Sequence, residues 1–138
     1  MARILSMDYG KKRTGLAVTD PLQLIAGGLA TVSTSTLFEY LTQYVAKEEV
    51  ERIVIGEPRQ PNGQPSENLE RVKQFVNRWR KAMPQIPIEF YDERFTSVLA
   101  HQAMLEGGLK KKARQDKALV DEISATIILQ DYMRSKNL

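Results

Sequence analysis

The chain has 138 residues, with twenty Lys and Arg against seventeen Asp and Glu, a formal net charge of +3, one His and no Cys. That length suits one domain around one core and is too short for two catalytic lobes. The missing Cys exclude disulfides, zinc ribbons, iron–sulfur clusters and thiol nucleophiles, and a single His excludes any metal site needing two imidazoles. Chemistry on this chain would run on carboxylates. A Cys-free composition fits a reducing, cytoplasmic setting. Asp8 interrupts the short apolar run at the start, and no stretch approaches the roughly 20 apolar residues of a membrane helix, so a soluble protein without a membrane partner is expected.

Residues 3–8 predict a first strand and residues 14–19 a second, joined as a hairpin through Gly10 and the basic residues after it. Residues 29–33 read as a third strand. Leu37, Leu41, Tyr44 and Val45 recur at helical spacing, which predicts an amphipathic helix over residues 36–49 with Ser35 or Thr36 at its N-cap. The β-branched run within residues 52–56 has the character of a strand buried on both faces of a parallel sheet.

Residues 58–65, rich in Pro, Gly and Asn, form a loop, and Ser66 can cap the helix after it. In that helix Leu69, Val72, Val76, Trp79 and Met83 make one stripe. Residues 86–91 give a fifth strand, followed at once by Asp92, Glu93 and Arg94. Thr96 or Ser97 opens a helix that Gly107 and Gly108 end, and a basic stretch leads into a last helix over residues 116–133. Antiparallel strands followed by alternating helix and strand imply a mixed sheet flanked by helices, an α/β fold. There is no internal repeat or linker, so residues 1–138 read as a single domain. Nor is there a heptad or an interface stripe; a monomer is expected, with a dimer as the alternative.

Acids at three places stand out. Asp8 ends the first strand before Tyr9 and Gly10, where α/β sheets bind ligands, though Asp before Gly is also an ordinary turn former. Asp92 and Glu93 end the fifth strand, and alternation lets only one of them face a given site. Asp121 shares the apolar side of the last helix with Ser124, Ala125 and Ile128, where a carboxylate costs several kcal/mol, on the order of the usual burial penalty, unless paired or bound to a metal. Lys117, four residues earlier, is the simple ion-pair candidate. Acids on separate elements with little His or Cys suit a hard divalent cation such as Mg²⁺, and two such ions about 4 Å apart serve phosphodiester hydrolysis.

The charge is unevenly placed. Residues 1–69 hold seven bases and eight acids, whereas residues 70–138 hold thirteen bases and nine acids. Lys110, Lys111, Lys112, Arg114 and Lys117 precede Asp121; Lys11, Lys12 and Arg13 follow Asp8; Arg94 follows Glu93. Positive charge beside each acid is what a phosphate backbone needs, although a short Lys run is also an ordinary solvated loop. His101 has no partner at ligand or triad spacing and reads as structural or surface.

Residues 7–18 (MDYGKKRTGLAV), 54–58 (VIGEP), 91–97 (YDERFTS) and Lys117 through Asp121 to Ser124 and Ala125 occur in one characteristic order. Together they resemble the YqgF family of pre-16S ribosomal RNA nucleases, also described as Holliday-junction-resolvase-like proteins, over essentially the whole chain. The resemblance implies a ribonuclease-H-like fold with a mixed five-stranded sheet, its first three strands antiparallel. It further implies a Mg²⁺- or Mn²⁺-dependent nuclease acting on structured RNA, the precursor of 16S ribosomal RNA, with branched DNA as the alternative substrate. Asp8, Glu93 and Asp121 match the family's catalytic, metal-holding acids, with Asp92 as the second choice for Glu93. Glu57 stands where the family often has an apolar residue, and it is a further candidate because related nucleases place an acid near that strand end. Lys11, Lys12, Arg13, Arg94, Lys110, Lys111, Lys112, Arg114 and Lys117 would hold phosphates. Two rivals remain: a sugar-kinase-like phosphate hairpin, which the single-lobe length opposes, and a non-catalytic nucleic-acid-binding protein of the same fold.

Overall fold

The structure, a computed structural model, describes residues 2–57, 68–92 and 117–136, without the side chains of Asp92 and residues 117–120. Five strands, β1 (Arg3–Tyr9), β2 (Arg13–Thr19), β3 (Ala26–Ser33), β4 (Val50–Glu57) and β5 (Ile88–Asp92), form one sheet in the order β3-β2-β1-β4-β5. β2 runs antiparallel to both β1 and β3, while β4 runs parallel to both β1 and β5. Helices α1 (Leu37–Lys47), α2 (Leu69–Ala82) and α3 (Lys117–Ser135) complete the described elements. This is the mixed, five-stranded α/β architecture expected.

Alternation along the strands builds a different core on each face. Leu5 and Met7 of β1, Leu16 of β2, and Ile53 and Ile55 of β4 are buried with Leu37 and Leu41 of α1 and Val72, Phe75, Val76 and Trp79 of α2. Ile4, Ala17 and Val54, of the other parity, are buried with Ala125, Ile128, Leu129 and Tyr132 of α3. β4 therefore feeds both cores, which is why its apolar run is unbroken. All of the predicted α2 stripe is buried or half-buried, and Phe75, outside that stripe, is buried as well.

Several element boundaries differ from those expected, among them β4, which starts two residues earlier at Val50, and α3, which runs two residues further to Ser135. β3 begins at Ala26 rather than residue 29, because Gly27 and Gly28 pair with β2 despite weak strand propensity. The helix predicted over residues 36–49 is shorter, and neither Ser35 nor Thr36 caps it through its side chain. A single 3₁₀ turn, Thr34–Thr36, leads into α1 instead, and the Thr36 hydroxyl donates to the Ser33 carbonyl at 3.1 Å. The fifth strand starts at Ile88, two residues later than predicted. Ser66, the helix predicted from Thr96 or Ser97, His101, and Gly107 and Gly108 lie outside the described residues. Among the described residues no helix is long and apolar enough to cross a membrane.

Candidate active site

The α3 face of the sheet carries two of the three predicted acids, Asp8 and Asp121, at one level. Ile4 and Ser6 face α3, and the buried Ser6 hydroxyl donates to the Ala125 carbonyl at 2.6 Å. Alternation puts Asp8, two residues on, at the same face. From Ala125 back to Asp121 is about 6 Å of helix, and from Ser6 to Asp8 about 6.7 Å of strand, so α3 runs antiparallel to β1 with Asp121 level with Asp8.

Gly15 makes that approach possible. It is the register partner of Asp8 across the β1–β2 hairpin, a Cα separation of about 4.5–5.5 Å. A side chain there would press into the Asp121 carbonyl and come within 2.9 Å of the Glu122 nitrogen, all of it helix backbone. Only Gly lets α3 rest on β2 at this level. The first turns of α3 thus lie over the strand next to Asp8. Ser124 and Ala125, buried beside Asp121, keep the same contact thin.

Asp121 is paired across the sheet with Arg13. The Arg13 Nε donates to the Asp121 carboxylate at 3.1 Å, with Arg13 41% and Asp121 25% exposed. A half-exposed pair of this kind contributes about 0.2–1 kcal/mol, so its value is in orienting the carboxylate rather than in stability. Arg13, predicted as a phosphate contact, therefore also bridges β2 to the acid on α3. Lys11 and Lys12 are exposed on the turn just before it. Thr34 fixes that turn: its N–H donates to the Lys12 carbonyl at 2.9 Å and its hydroxyl to the Gly10 carbonyl at 2.7 Å.

Glu57 lies elsewhere. It shares the alternation of Ile53 and Ile55, whose side chains enter the α1/α2 core, so it belongs to the face opposite Asp8 and Asp121. Glu89 and Tyr91 of β5 do lie on the α3 face: the Tyr132 hydroxyl donates to Glu89, and the Tyr91 hydroxyl to Asp131 at 2.6 Å. The Arg52 Nη1 donates to the Tyr132 hydroxyl at 2.9 Å, closing a polar network at the far end of α3. Burial raises the Tyr132 pKa, and its bond to Glu89 raises it further. Glu93, Arg94, Lys110, Lys111, Lys112 and Arg114 lie outside the described residues, as do the side chains of Asp92 and Lys117.

The donor set can be tested against a cation on this geometry. Among the described residues no three His, Asp or Glu side chains form a metal-holding group. Two carboxylates on one face, one of them already turned to a guanidinium, nevertheless match the hard oxygen ligands and partial protein coordination that Mg²⁺ takes beside a phosphate. The set fits a cation that also uses substrate oxygens. What sequence reasoning missed was the Arg13–Asp121 pair and the contact at Gly15; both join residues more than a hundred positions apart.

Comparison with known proteins gives the chain's family and fold. Residues 2–135 match the RuvX family, described as Holliday junction resolvase. A protein of Phocaeicola vulgatus is 67% identical over 99% of this chain and 98% of its own length, and one of Bacteroides thetaiotaomicron is 62% identical over 99% of each; both are named "Putative pre-16S rRNA nuclease". In fold, the chain is similar to the fowlpox virus Holliday junction resolvase (TM-score 0.57, 14% identity, 96% of this chain and 99% of that one). It is equally similar to the RuvC of T. thermophilus in complex with its Holliday junction substrate (TM-score 0.57, 16% identity, 98% of this chain and 96% of that one). Those likenesses identify the sheet and helices as the ribonuclease-H-like fold of the resolvases. With the family match spanning nearly the whole chain, this protein belongs to the RuvX, or YqgF, family.

Proposed function

We propose that this chain hydrolyses phosphodiester bonds in structured RNA, acting on the precursor of 16S ribosomal RNA in the cytoplasm, with Asp8, Glu93 and Asp121 as the acids that hold Mg²⁺ or Mn²⁺. The close approach of the Asp121 backbone to Gly15, the register partner of Asp8, is the observation that supports it. The names of the close relatives support the RNA assignment. Glu93 is carried by the family resemblance. When bound, the cation neutralises charge on the attacking and leaving oxygens.

The chain's own residues do the rest. Asp8 is held by β1, a strand paired on both sides, so its backbone cannot drift. Asp121 is held by α3 and steered by Arg13. Lys11 and Lys12, exposed on a turn that Thr34 pins, offer charge to phosphates beside the cut. Arg94, Lys110, Lys111, Lys112, Arg114 and Lys117 extend that positive surface in this reading, and Arg13 passes between Asp121 and a phosphate.

A transcript carrying the 5′ flank of 16S ribosomal RNA and a four-way DNA junction, each with Mg²⁺ or EDTA, test the reading. Wild type is expected to cut the transcript with Mg²⁺, and EDTA or Asp8→Asn to slow it at least about a hundredfold, which is about 2.7 kcal/mol of transition-state stabilisation. Thermal unfolding of Asp8→Asn should match wild type. Undiminished cutting by Asp8→Asn overturns the site. Cutting of the junction alone moves the substrate to branched DNA.

A further inference from the structure

Asp8 and Tyr9 are consecutive, about 3.8 Å apart at Cα, and face opposite sides of the sheet. On the Tyr9 side lies a groove of about 420 Å³ lined by Tyr9, Thr34, Ser35, Phe38, Arg71 and Arg78. Its floor is aromatic. Phe75 beneath it is 5.5 Å from the Tyr9 ring and 6.1 Å from the Phe38 ring, centroid to centroid. Its rim is cationic: the Arg78 guanidinium sits 4.0 Å over Phe38, and the Arg71 charge reaches the Tyr9 phenol. Arg71 and Arg78 are both exposed and seven residues apart on α2, two turns and about 10.5 Å along one side of the helix. Among the described residues neither has a carboxylate within ion-pair distance.

An aromatic floor with two spaced guanidinium groups and two hydroxyls recognises a ring joined to phosphates. Paired bases hide their faces in the helical stack, so a platform of this kind serves unpaired nucleotides. The basic turn and the groove are also one piece, since Thr34 both lines the groove and bonds to Gly10 and Lys12. A strand leaving the Asp8 side would cross Lys11 and Lys12 and arrive at Tyr9.

We propose that this groove holds a single-stranded segment flanking the scissile phosphate, with one base against Tyr9 and phosphates on Arg71 and Arg78. The proposal rests on the nuclease reading above and adds where the substrate runs and that it is unpaired there. The residues involved lie on the face away from Asp8 and Asp121.

Fluorescence anisotropy on the full chain tests it, with a labelled RNA duplex bearing a single-stranded tail and the same duplex blunt. Wild type should prefer the tailed duplex. The double variant Arg71→Ala, Arg78→Ala, which places a better helix former on an exposed face, should lower tailed-duplex affinity about tenfold, to the blunt level. The slope of log affinity against log salt should become shallower by about 1.4, or 0.7 for each phosphate lost. Blunt-duplex affinity should not change, which also reports that the variant is folded. An unaltered preference for the tail, or equal losses on both probes, overturns the groove assignment while leaving the nuclease reading standing. Displacement of the tail by adenosine monophosphate at concentrations near the protein's own also overturns it, in favour of a free-nucleotide site. Failure of wild type to bind either duplex overturns both readings.

Discussion

The two faces of the sheet are built to different thicknesses. Against α1 and α2 the strands present Leu5, Met7, Leu16, Ile53 and Ile55, met by Trp79, Phe75 and Leu41. Such side chains hold the helices off the sheet and bury the most apolar surface, the largest contribution to stability. Against the first turns of α3 the strands present Ser6, Gly15 and Ala17, met by Ser124 and Ala125, while Ile4 and Val54 meet Ile128, Leu129 and Tyr132 further along. Here helix backbone touches strand backbone, less apolar surface is buried, and a carboxylate is carried down beside Asp8. The thick face stores stability; the thin face places the acids. A nuclease of this fold thus separates the two demands by sheet parity, one residue apart along each strand.

The sharpest break of that division is Trp79→Ala. Trp79 is fully buried, packs edge-on to Phe38 at 5.7 Å, and donates its indole N–H to the Ile86 carbonyl at 3.1 Å. Its loss should cost about 3–5 kcal/mol in urea unfolding. Cleavage per folded molecule should fall far less than stability does, because Trp79 lies on the face opposite Asp8 and Asp121 and does not itself line the Tyr9 groove. A large drop in turnover of the folded fraction would show that the faces are not independent.

Gly15→Ala should do the reverse. The added methyl meets the Asp121 carbonyl and Glu122 nitrogen, which belong to backbone and cannot swing aside. Displacing α3 should cost about 1–3 kcal/mol. The same shift misplaces Asp121 relative to Asp8, and cleavage should fall about a hundredfold, the scale of an ångström's misplacement. Comparing unfolding midpoints with single-turnover rates for the two variants measures the division directly.

The smallest effect concerns the β2–β3 loop, remote from both cores. Asp20 accepts from the backbone N–H groups of Ile25 at 2.8 Å, Leu24 at 2.7 Å and Leu22 at 3.1 Å. Those bonds, that of Ile25 foremost, hold its pKa below the usual carboxylate value of 3.8. Because the folded value is depressed, the loop's stabilisation is present above the unfolded value and lost as pH falls through the folded one. Exchange of the Leu24 and Ile25 amides, followed downward from pH 5, should become less protected relative to the core strands. Asp20→Ala should remove that protection at every pH, without changing cleavage.

Much of this was legible in the chain itself. The β-branched run within Val50–Glu57 announced a strand buried on both faces, and the stripe from Leu69 to Trp79 announced a helix with one dry side. The placement of Asp121 with Ser124, Ala125 and Ile128 was readable from helical period alone, and the latter three are buried. Other features were not readable. Thr36 stands at the N-cap as expected, but its side chain makes no cap bond, because a 3₁₀ turn set by the contacts of Thr34 with the hairpin leads into α1. Asp121 took Arg13, 108 residues away, as its ion partner, and helical spacing could suggest only Lys117. Glu57, a further candidate beside Glu93, belongs by strand parity to the other face.

The sequence by itself determined the local alphabet of this protein. Periodicity and β-branching fixed its strands and helices, the absence of Cys and the single His left carboxylates to do any chemistry, and ordered motifs pointed to the family. Tertiary structure alone decided which carboxylates meet. Convergence depends on sheet order, on parity and on how closely one helix backbone can approach a strand. That last distance was set by the missing side chain of Gly15, a property that acquires meaning only once Asp121 lies above it.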